Sequence, residues 1–288
     1  MEKIICIYHK NCTDGTTAAA VLLKKFPDCM LVPLEHNYSQ EDIEAILSNV
    51  DKNTTVYIVD FSLKKEDLEN LLKKARKVVL IDHHIGVKSL LESLAKKYKN
   101  FEYIFDNNRS GASLAWIYLF KGEEIPPLIK FVEDKDIWTW KYGEKTKYAN
   151  AYLFLFTNKP EKVVELLDQP IEKILEKGKI LSEYTDYIVN YFIEKAKETY
   201  LKIGNYKVKA FNTGLFQSEI GNLMCQKYKE PIALFNISGD IVKFSFRSCD
   251  FVSPSALELA KILGGGGHKN AAGAVVPLKD FCDMILFN

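Results

Sequence analysis

Short apolar segments rich in β-branched residues alternate with helical patterns over residues 3–105, and this alternation limits the chain to few folds. The predicted strands are residues 3–8, 29–34, 55–60, 77–82 and 101–105. Between them lie residues 15–26, 40–47, 64–74 and 87–97, whose apolar positions recur every three or four residues. Strands that alternate with helices form βαβ units. The sequence therefore predicts an α/β domain with a mostly parallel, doubly wound sheet covered by helices on both faces.

The pattern changes near residue 160. From residue 161 onwards the apolar residues keep helical spacing over several turns, and Pro170 interrupts this spacing near its start. Further strands are predicted at 206–212, 232–237 and 241–246, and further helices at 216–228 and 254–262. The predicted organisation is a first domain at 1–160, a helical connector at 161–203 and a smaller α/β domain at 204–288.

Composition places the chain among globular proteins of the cytoplasm. Hydrophobic residues make up 47% and charged residues 27%, which excludes a disordered chain. No apolar run approaches the roughly 20 residues that span a bilayer, and the apolar stretch at residues 4–8 is too short for a signal peptide. The six cysteines form no C-x-x-C pair, so reduced thiols are expected.

The net charge narrows the class of partner. Lys plus Arg is 39 and Asp plus Glu is 38, which leaves a net charge of +1. Proteins that bind long nucleic acids usually carry an excess of positive charge, because phosphate neutralisation dominates their affinity. This balance favours a small or short anionic substrate.

Polar residues with metal-binding side chains follow three of the predicted strands. They are His9, Asp14, Asp60, Asp82, His83 and His84. A single Asp at a strand end is usually a cap or turn residue, but three of the five histidines fall at two strand ends that should be neighbours. Imidazole and carboxylate groups together bind divalent ions, so we predict a metal site at this sheet edge. His36 follows the second strand in a polar loop and is interpreted as a surface residue.

Two motifs in the first domain resemble those of a known enzyme family. Asp82, His83 and His84 follow an apolar strand, and residues 9–15 read His-x-x-Cys-x-Asp-Gly. This combination resembles the DHH phosphoesterases. Members of that family include RecJ-like exonucleases, nano-RNases, 3',5'-bisphosphate nucleotide phosphatases and cyclic-dinucleotide phosphodiesterases.

The C-terminal part extends the resemblance. Residues 264–273 are similar to the glycine-rich GGGH motif of the DHHA1 domain, and residues 246–248 match the arginine strand that precedes it. The resemblance therefore implies a DHH domain, followed by a helical connector and a DHHA1 domain that binds substrate. Family II pyrophosphatases share the first domain alone, so the GGGH motif argues against them.

The resemblance also implies roles for individual residues. The implied metal ligands are His9, Asp14, Asp60, His83 and Asp134, with Asp136 as the alternative to Asp134. Asp60 is the implied bridging carboxylate between two ions, expected to be Mn²⁺, with Mg²⁺ or another divalent ion as the alternative. Asp82 is expected to orient the histidine pair, and His84 is expected to face the scissile phosphate.

Cys12 departs from the family pattern. Many members carry Asp two residues before the position of Asp14. A thiolate prefers softer ions than Mn²⁺ or Mg²⁺. Three interpretations stay open: one ion has fewer protein ligands and an extra water, the site selects a different ion, or Cys12 only packs in its loop.

A second group of residues is predicted to bind substrate. Its members are Arg109, Arg247, Gly265, Gly266, Gly267 and His268. Consecutive glycines are costly in regular structure but allow close approach of the backbone to a phosphate or sugar. Ser110 precedes an apolar helix, where simple helix capping is favoured over anion binding.

The sequence therefore predicts a metal-dependent phosphodiesterase that hydrolyses short oligonucleotides or dinucleotides to mononucleotides with a two-metal-activated water. A bisphosphate nucleotide phosphatase and a cyclic-dinucleotide phosphodiesterase are alternatives with the same chemistry. A non-catalytic nucleotide-binding module is the alternative of another class, motivated by Cys12. The oligomeric state stays open, with a homodimer among the options, and no membrane partner is expected.

Overall fold

The computed structural model describes residues 2–286. The chain divides into two compact units, Met1–Glu183 and Tyr184–Asn288. Each unit contains its own sheet with hydrophobic clusters on both faces. The two units are described in turn.

The first unit is built on a parallel sheet of five strands. The strands are β1 (Lys3–His9), β2 (Met30–Leu34), β3 (Thr54–Val59), β4 (Lys77–Asp82) and β5 (Phe101–Phe105). Their order across the sheet is β2-β1-β3-β4-β5, and every neighbouring pair is parallel. The predicted α/β fold with a parallel sheet is confirmed.

Both faces of this sheet are covered by helices. The helices are α1 (Thr13–Lys25), α2 (Gln40–Ser48), α3 (Lys65–Lys74), α4 (Lys88–Lys97) and α5 (Gly111–Leu119). Ile5 and Ile7 of β1 pack with α2, α3 and α4, whereas Cys6 and Tyr8 pack with α1 and α5. Alternate strand residues point to opposite faces, so burial on both sides accounts for the almost continuous apolar runs of these strands.

A helical segment follows the first sheet. Its helices are α6 (Pro127–Asp136), α7 (Glu144–Leu153), α8 (Pro160–Leu167) and α9 (Ile171–Lys195). Proline stands at the start of α6 and of α8, where its missing N–H removes no helical hydrogen bond. Among residues 2–286, no helix is long and apolar enough to cross a membrane.

The second unit contains a mixed sheet of seven strands. They are β6 (Thr199–Ile203), β7 (Tyr206–Asn212), β8 (Ile232–Ser238), β9 (Ile241–Arg247), β10 (Gly266–His268), β11 (Ala271–Pro277) and β12 (Ile285–Leu286). Their order is β10-β11-β9-β8-β7-β6-β12, in which β7 and β8 are parallel and the other neighbours antiparallel. Helix α10 (Gln217–Tyr228) covers one face, and α11 (Ala256–Ile262) and α12 (Leu278–Met284) cover the other.

The end of the predicted connector is a strand of this second sheet. Residues 199–203 form β6, in which Leu201 and Ile203 are buried and Lys202 between them is exposed. Burial at every second residue is the period of a strand, not of a helix. The helical part of the segment therefore ends with α9.

Candidate metal centre

The strand order places three chain segments at one edge of the first sheet. β1, β3 and β4 are adjacent and parallel, so their carboxyl ends lie side by side. His9 ends β1, Asp60 follows β3, and Asp82 ends β4 directly before the two histidines. The predicted meeting of these side chains at one edge follows from the topology.

Asp60 lies at the centre of the group. Its Oδ1 is 3.2 Å from Nε2 of His83, and its Oδ2 is 3.6 Å from Nδ1 of His9. Burial opposes ionisation of Asp60, but its contacts with His83 and His9 outweigh burial and lower its pKa. Its backbone has a φ of 50°, in the left-handed region that non-glycine residues seldom occupy outside strained or functional positions.

Asp14 joins the group from the first turn of α1. Its carboxylate accepts hydrogen bonds from the backbone N–H of Gly111 (2.6 Å) and of Ala112 (3.1 Å), at the start of α5. A Cβ at Gly111 would lie 2.7 Å from Cβ of Asp60, so this contact requires glycine. Burial, with Asp136 and Asp60 nearby, raises the pKa of Asp14. Asp14 therefore accepts from the first two N–H groups of α5. The hydroxyl of Ser110 accepts from the N–H of Ser113, which is the helix capping that the sequence favoured.

Asp82 fixes the histidine pair. Its Oδ1 accepts hydrogen bonds from the backbone N–H of His83 (2.7 Å) and of His84 (3.2 Å), and it lies 2.7 Å from Nδ1 of His84. Burial alone would lower the pKa of His84, but Asp82 and Asp60 outweigh it and raise the pKa to about 9. His83 is buried, whereas 28% of the His84 side chain is exposed. The two rings therefore differ in access to solvent and in their carboxylate partners.

Asp136 lies in the cluster, and Asp134 does not. Oδ2 of Asp136 is 3.4 Å from Nε2 of His83. Asp134 instead accepts hydrogen bonds from the backbone N–H of Lys141 (2.7 Å) and of Tyr142 (3.0 Å) and from two threonine hydroxyls. Asp134 therefore folds the loop after α6, whereas Asp136 is the one of the two that faces the other cluster residues. Which of them is a metal ligand stays a prediction.

Size-matched substitutions should separate these two aspartates. Asp136→Asn should lower the affinity for a divalent ion by at least the roughly 10–100-fold that loss of a partner behind a ligand costs, and leave the fold intact. Asp134→Asn should instead destabilise the protein, since hydrogen bonds to a charged group contribute about 1.5–3 kcal/mol each. Equilibrium dialysis with Mn²⁺ and thermal unfolding in EDTA measure the two effects. Equal metal loss in both variants would contradict the assignment.

Three buried polar atoms in the group have no hydrogen-bond partner among residues 2–286. They are Nδ1 of His9, Oδ2 of Asp60 and Oδ2 of Asp136. Orphaned buried acceptors are costly unless a cation or a hydrogen-bond donor meets them. The donor atoms form three sets, and within each set all atoms lie within 4.8 Å of one another. The sets are Asp60–Asp82–His83–His84, His9–Cys12–Asp60 and Asp14–His83–Asp136. The carboxylate and imidazole donors of this cluster fit divalent ions.

Two further side chains lie next to the cluster. His36 is exposed, as expected, but its ring stacks on Phe61 at 5.3 Å and lies 4.7 Å from the ring of His9. Cys12 precedes α1 at the N-cap position and is half-buried. Burial, then Asp60, Asp136 and Asp14, raise the pKa of its thiol, although the N–H of Gly15 acts in the opposite direction.

Arg109 lies beside α6. Its Nη1 is 3.3 Å from Oε1 of Glu133, and the backbone N–H of Ser110 donates to the other carboxylate oxygen of Glu133. Its side chain is 41% exposed. Arg109 lies two residues before Gly111, whose backbone adjoins Asp14 and Asp60. Its predicted role in substrate binding stays a prediction.

In the second unit, the sheet register aligns the two predicted substrate-binding side chains. His268 pairs with Ala271, and Ala271 pairs with Arg247 on the next strand. Directly paired residues point to the same face, so His268 and Arg247 flank a small residue on one face. Nη2 of Arg247 donates to Oγ of Ser218 (2.8 Å), and Nη1 donates to Oγ of Ser245 (2.9 Å). Burial lowers the pKa of Arg247.

The last two glycines of the run, Gly266 and Gly267, begin the edge strand β10, and Gly264 and Gly265 precede it. A Cβ at Gly265 would lie 2.0 Å from the carbonyl oxygen of Gly273, and one at Gly267 would lie 2.7 Å from that of Ala271. Glycine at these positions allows β10 to approach β11. Gly266 differs, because a Cβ there would meet nothing within 4 Å.

Comparison with protein-family models identifies both parts of the chain. Residues 3–134 match the DHH family, N-terminal domain, and residues 204–286 match the DHHA1 domain. An uncharacterized protein of Acanthamoeba polyphaga mimivirus is 26% identical over 93% of the chain. The chain spans 66% of the length of that relative.

Solved structures share the fold. RecJ from Thermus thermophilus, crystallised with Mn²⁺, has a TM-score of 0.58 and 16% identity, covering 98% of this chain and 51% of RecJ. The pGpG-specific phosphodiesterase PggH from Vibrio cholerae has a TM-score of 0.50 and 15% identity, covering 96% of this chain and 94% of PggH. At such identities the likeness concerns the fold.

Proposed function

Because this chain belongs to the DHH/DHHA1 phosphoesterase family, we propose that it is a metal-dependent phosphodiesterase that hydrolyses short oligonucleotides or dinucleotides to mononucleotides. The observation that carries the proposal is the cluster around Asp60. It combines orphaned buried acceptors with a histidine, His84, that a carboxylate holds at Nδ1. Such an arrangement provides both a cation site and an oriented proton-bearing group.

The residues that would hold divalent ions are His9, Asp14, Asp60, His83 and Asp136. Bound ions of this kind polarise a phosphate and lower the pKa of a coordinated water. We assign Asp60 the bridging position, because its two oxygens face different histidines. We expect Mn²⁺, with Mg²⁺ as the alternative.

His84 has a separate role in the proposal. Its contact with Asp82 fixes the ring orientation, and the carboxylates of Asp82 and Asp60 raise the pKa of the ring to about 9, which favours the protonated form. A fixed imidazolium can donate a hydrogen bond to a phosphate oxygen on which negative charge develops during the reaction. We therefore place His84 against the scissile phosphate and assign Asp82 to its positioning.

The second unit is proposed to bind the nucleotide part of the substrate through Arg247 and His268. A guanidinium group presents a planar fork that matches phosphate oxygens, and the two side chains share one face of the sheet. The net charge of +1 favours a short substrate over a long polymer. PggH acts on pGpG by its name, and the proposal places this chain's substrate in the same chemical class.

Arg247→Ala should raise the KM for a dinucleotide about 10–150-fold, which corresponds to the loss of a charge-assisted contact of roughly 1.5–3 kcal/mol. A small chromogenic phosphodiester without a second nucleotide should be hydrolysed at nearly the original rate. Steady-state kinetics on both substrates at one Mn²⁺ concentration give the comparison. Ser245→Ala, which removes one hydrogen-bond partner of Arg247, is the control for local packing. Equal losses on both substrates would argue against a nucleotide-binding role.

The function itself is tested by a turnover panel. The substrates are pGpG, other dinucleotides, a short and a long oligonucleotide, a 3',5'-bisphosphate nucleotide and cyclic dinucleotides, each with Mn²⁺ and with excess EDTA. The proposal predicts the highest kcat/KM for dinucleotides or the short oligonucleotide, and no turnover in EDTA. Preference for the bisphosphate or the cyclic substrates would reassign the reaction within the family. Binding without any turnover would support a non-catalytic module.

Two further properties stay predictions. The cytoplasmic location is one of them, and a homodimer is the other. Size-exclusion chromatography with light scattering would test for a homodimer.

A further inference from the structure

One donor set in the cluster differs chemically from the others. His9, Cys12 and Asp60 offer nitrogen, sulfur and oxygen atoms within 4.8 Å of one another. The set of Asp14, His83 and Asp136 offers only nitrogen and oxygen. Asp60 lies between the two sets, because Oδ2 faces His9 and Oδ1 faces His83.

Two buried atoms without a hydrogen bond meet in the set that contains Cys12. Oδ2 of Asp60 belongs to a side chain that is 2% exposed, and it has no hydrogen bond. Nδ1 of His9 is also buried without a hydrogen bond, 3.6 Å from that oxygen. The two atoms face each other without a hydrogen bond, and a cation would be met by both of them.

The loop that carries Cys12 is held in place by a reciprocal pair of asparagines. The backbone N–H of Asn11 donates to Oδ1 of Asn158 (2.7 Å), and Nδ2 of Asn158 donates to Oδ1 of Asn11 (2.6 Å). At the other side of Cys12, its carbonyl accepts from the N–H of Thr16 (3.0 Å) as α1 begins. The backbone that carries the sulfur is therefore held in place before any ion binds.

We propose that Cys12 is a metal ligand, and that His9, Cys12 and Asp60 together select a borderline-soft divalent ion of the Zn²⁺ class. The inference rests on the proposed metal centre, and it assigns a different ion to each of the two donor sets. On binding, the thiol releases its proton to solvent and the thiolate donates to the ion. Thiolate and imidazole ligands favour Zn²⁺, Co²⁺ or Fe²⁺, whereas the Asp14–His83–Asp136 set suits Mn²⁺ or Mg²⁺.

Titration of the metal-free full-length protein with Co²⁺ tests the proposal without any activity measurement. Co²⁺ reports its ligands through weak visible bands and through an intense near-ultraviolet charge-transfer band when a thiolate is bound. We expect both features in the unchanged protein. Cys12→Ser should lose the charge-transfer band and keep visible bands from the second set. Cys282→Ser, which removes an exposed thiol in the second unit, should keep both.

Competition between Zn²⁺ and Mn²⁺ gives a second measurement. The preference for Zn²⁺ should fall on the order of 10–100-fold in Cys12→Ser. Cys12→Asp should keep the ion but reverse the preference toward Mn²⁺, and it serves as the second variant if Cys12→Ser fails to fold. Co²⁺ bound without a charge-transfer band, or an unchanged Zn²⁺ preference in both variants, would overturn the role of Cys12 alone. A protein that binds no Co²⁺ would overturn the metal centre as well.

Discussion

Asp60→Asn should abolish metal binding and phosphodiester hydrolysis together. Asp60 contacts His83 and His9 through different oxygens, so one substitution removes a ligand from both halves of the cluster. Asparagine has nearly the same size and tolerates the left-handed backbone of this position, where φ is 50°. We expect bound metal near zero by elemental analysis, and a loss of kcat/KM of at least the order of 10³-fold.

Thermal unfolding separates metal loss from misfolding. In the unchanged protein, an ion at 100 times its Kd should stabilise the folded state by about 2.7 kcal/mol relative to EDTA, and Asp60→Asn should remove this difference. Asp67→Asn is the matched control, because Asp67 is also a buried carboxylate but bonds to the hydroxyl of Tyr38. A variant that keeps its metal and its activity would show that Asp60 does not bridge the centre.

The first unit and the edge that carries the site were predictable from the sequence. Strands buried on both faces leave continuous apolar runs such as Val78–Ile81 in β4, and the polar residues that follow them mark the carboxyl edge. Parallel strands bring these ends together whatever the loops do. The positions of His9, Asp60 and His83 therefore follow from the fold class.

The choice between Asp134 and Asp136 could not be made in the same way. Two residues in a helix point about 200° apart, so only one of them can face the cluster. Which one does so depends on the rotation of α6 and on the loop that follows it. Thr139 and Thr146, which bond to Asp134, were the available signal, but their role becomes evident only once that loop is folded.

Two further features of the structure depend on contacts that the local sequence pattern does not reveal. The glycine run was expected to cradle a ligand, and that role stays a prediction. A Cβ at Gly265 or at Gly267 would also meet the backbone of β11, which is a separate reason for glycine there. That constraint arises from strand pairing between residues 266–268 and 271–273, which the local pattern does not reveal. The contact of His36 with His9 likewise depends on how the loop after β2 folds over Phe61.

His83→Ala and His84→Ala should both lose activity, but for different reasons. Nε2 of His83 is 3.2 Å from Oδ1 of Asp60 and 3.4 Å from Oδ2 of Asp136, within the proposed ligand set. His83→Ala should therefore lower metal content and activity together. His84 is bound to Asp82 through Nδ1 and is more exposed, so His84→Ala should keep its metal and lose about 10²–10³-fold in kcat.

Metal content and kinetics on the same samples distinguish the two roles. In His84→Ala, raising the Mn²⁺ concentration should not restore kcat, because the missing group contacts the substrate rather than the ion. In His83→Ala, part of the activity should return at high Mn²⁺, because a weakened site refills by mass action. Asp82→Asn tests the positioning role: a loosened His84 ring should lower kcat less than its removal does. Equal metal loss in both histidine variants would mean that His84 is itself a ligand, and the set of Asp60, Asp82, His83 and His84 would then hold the ion together.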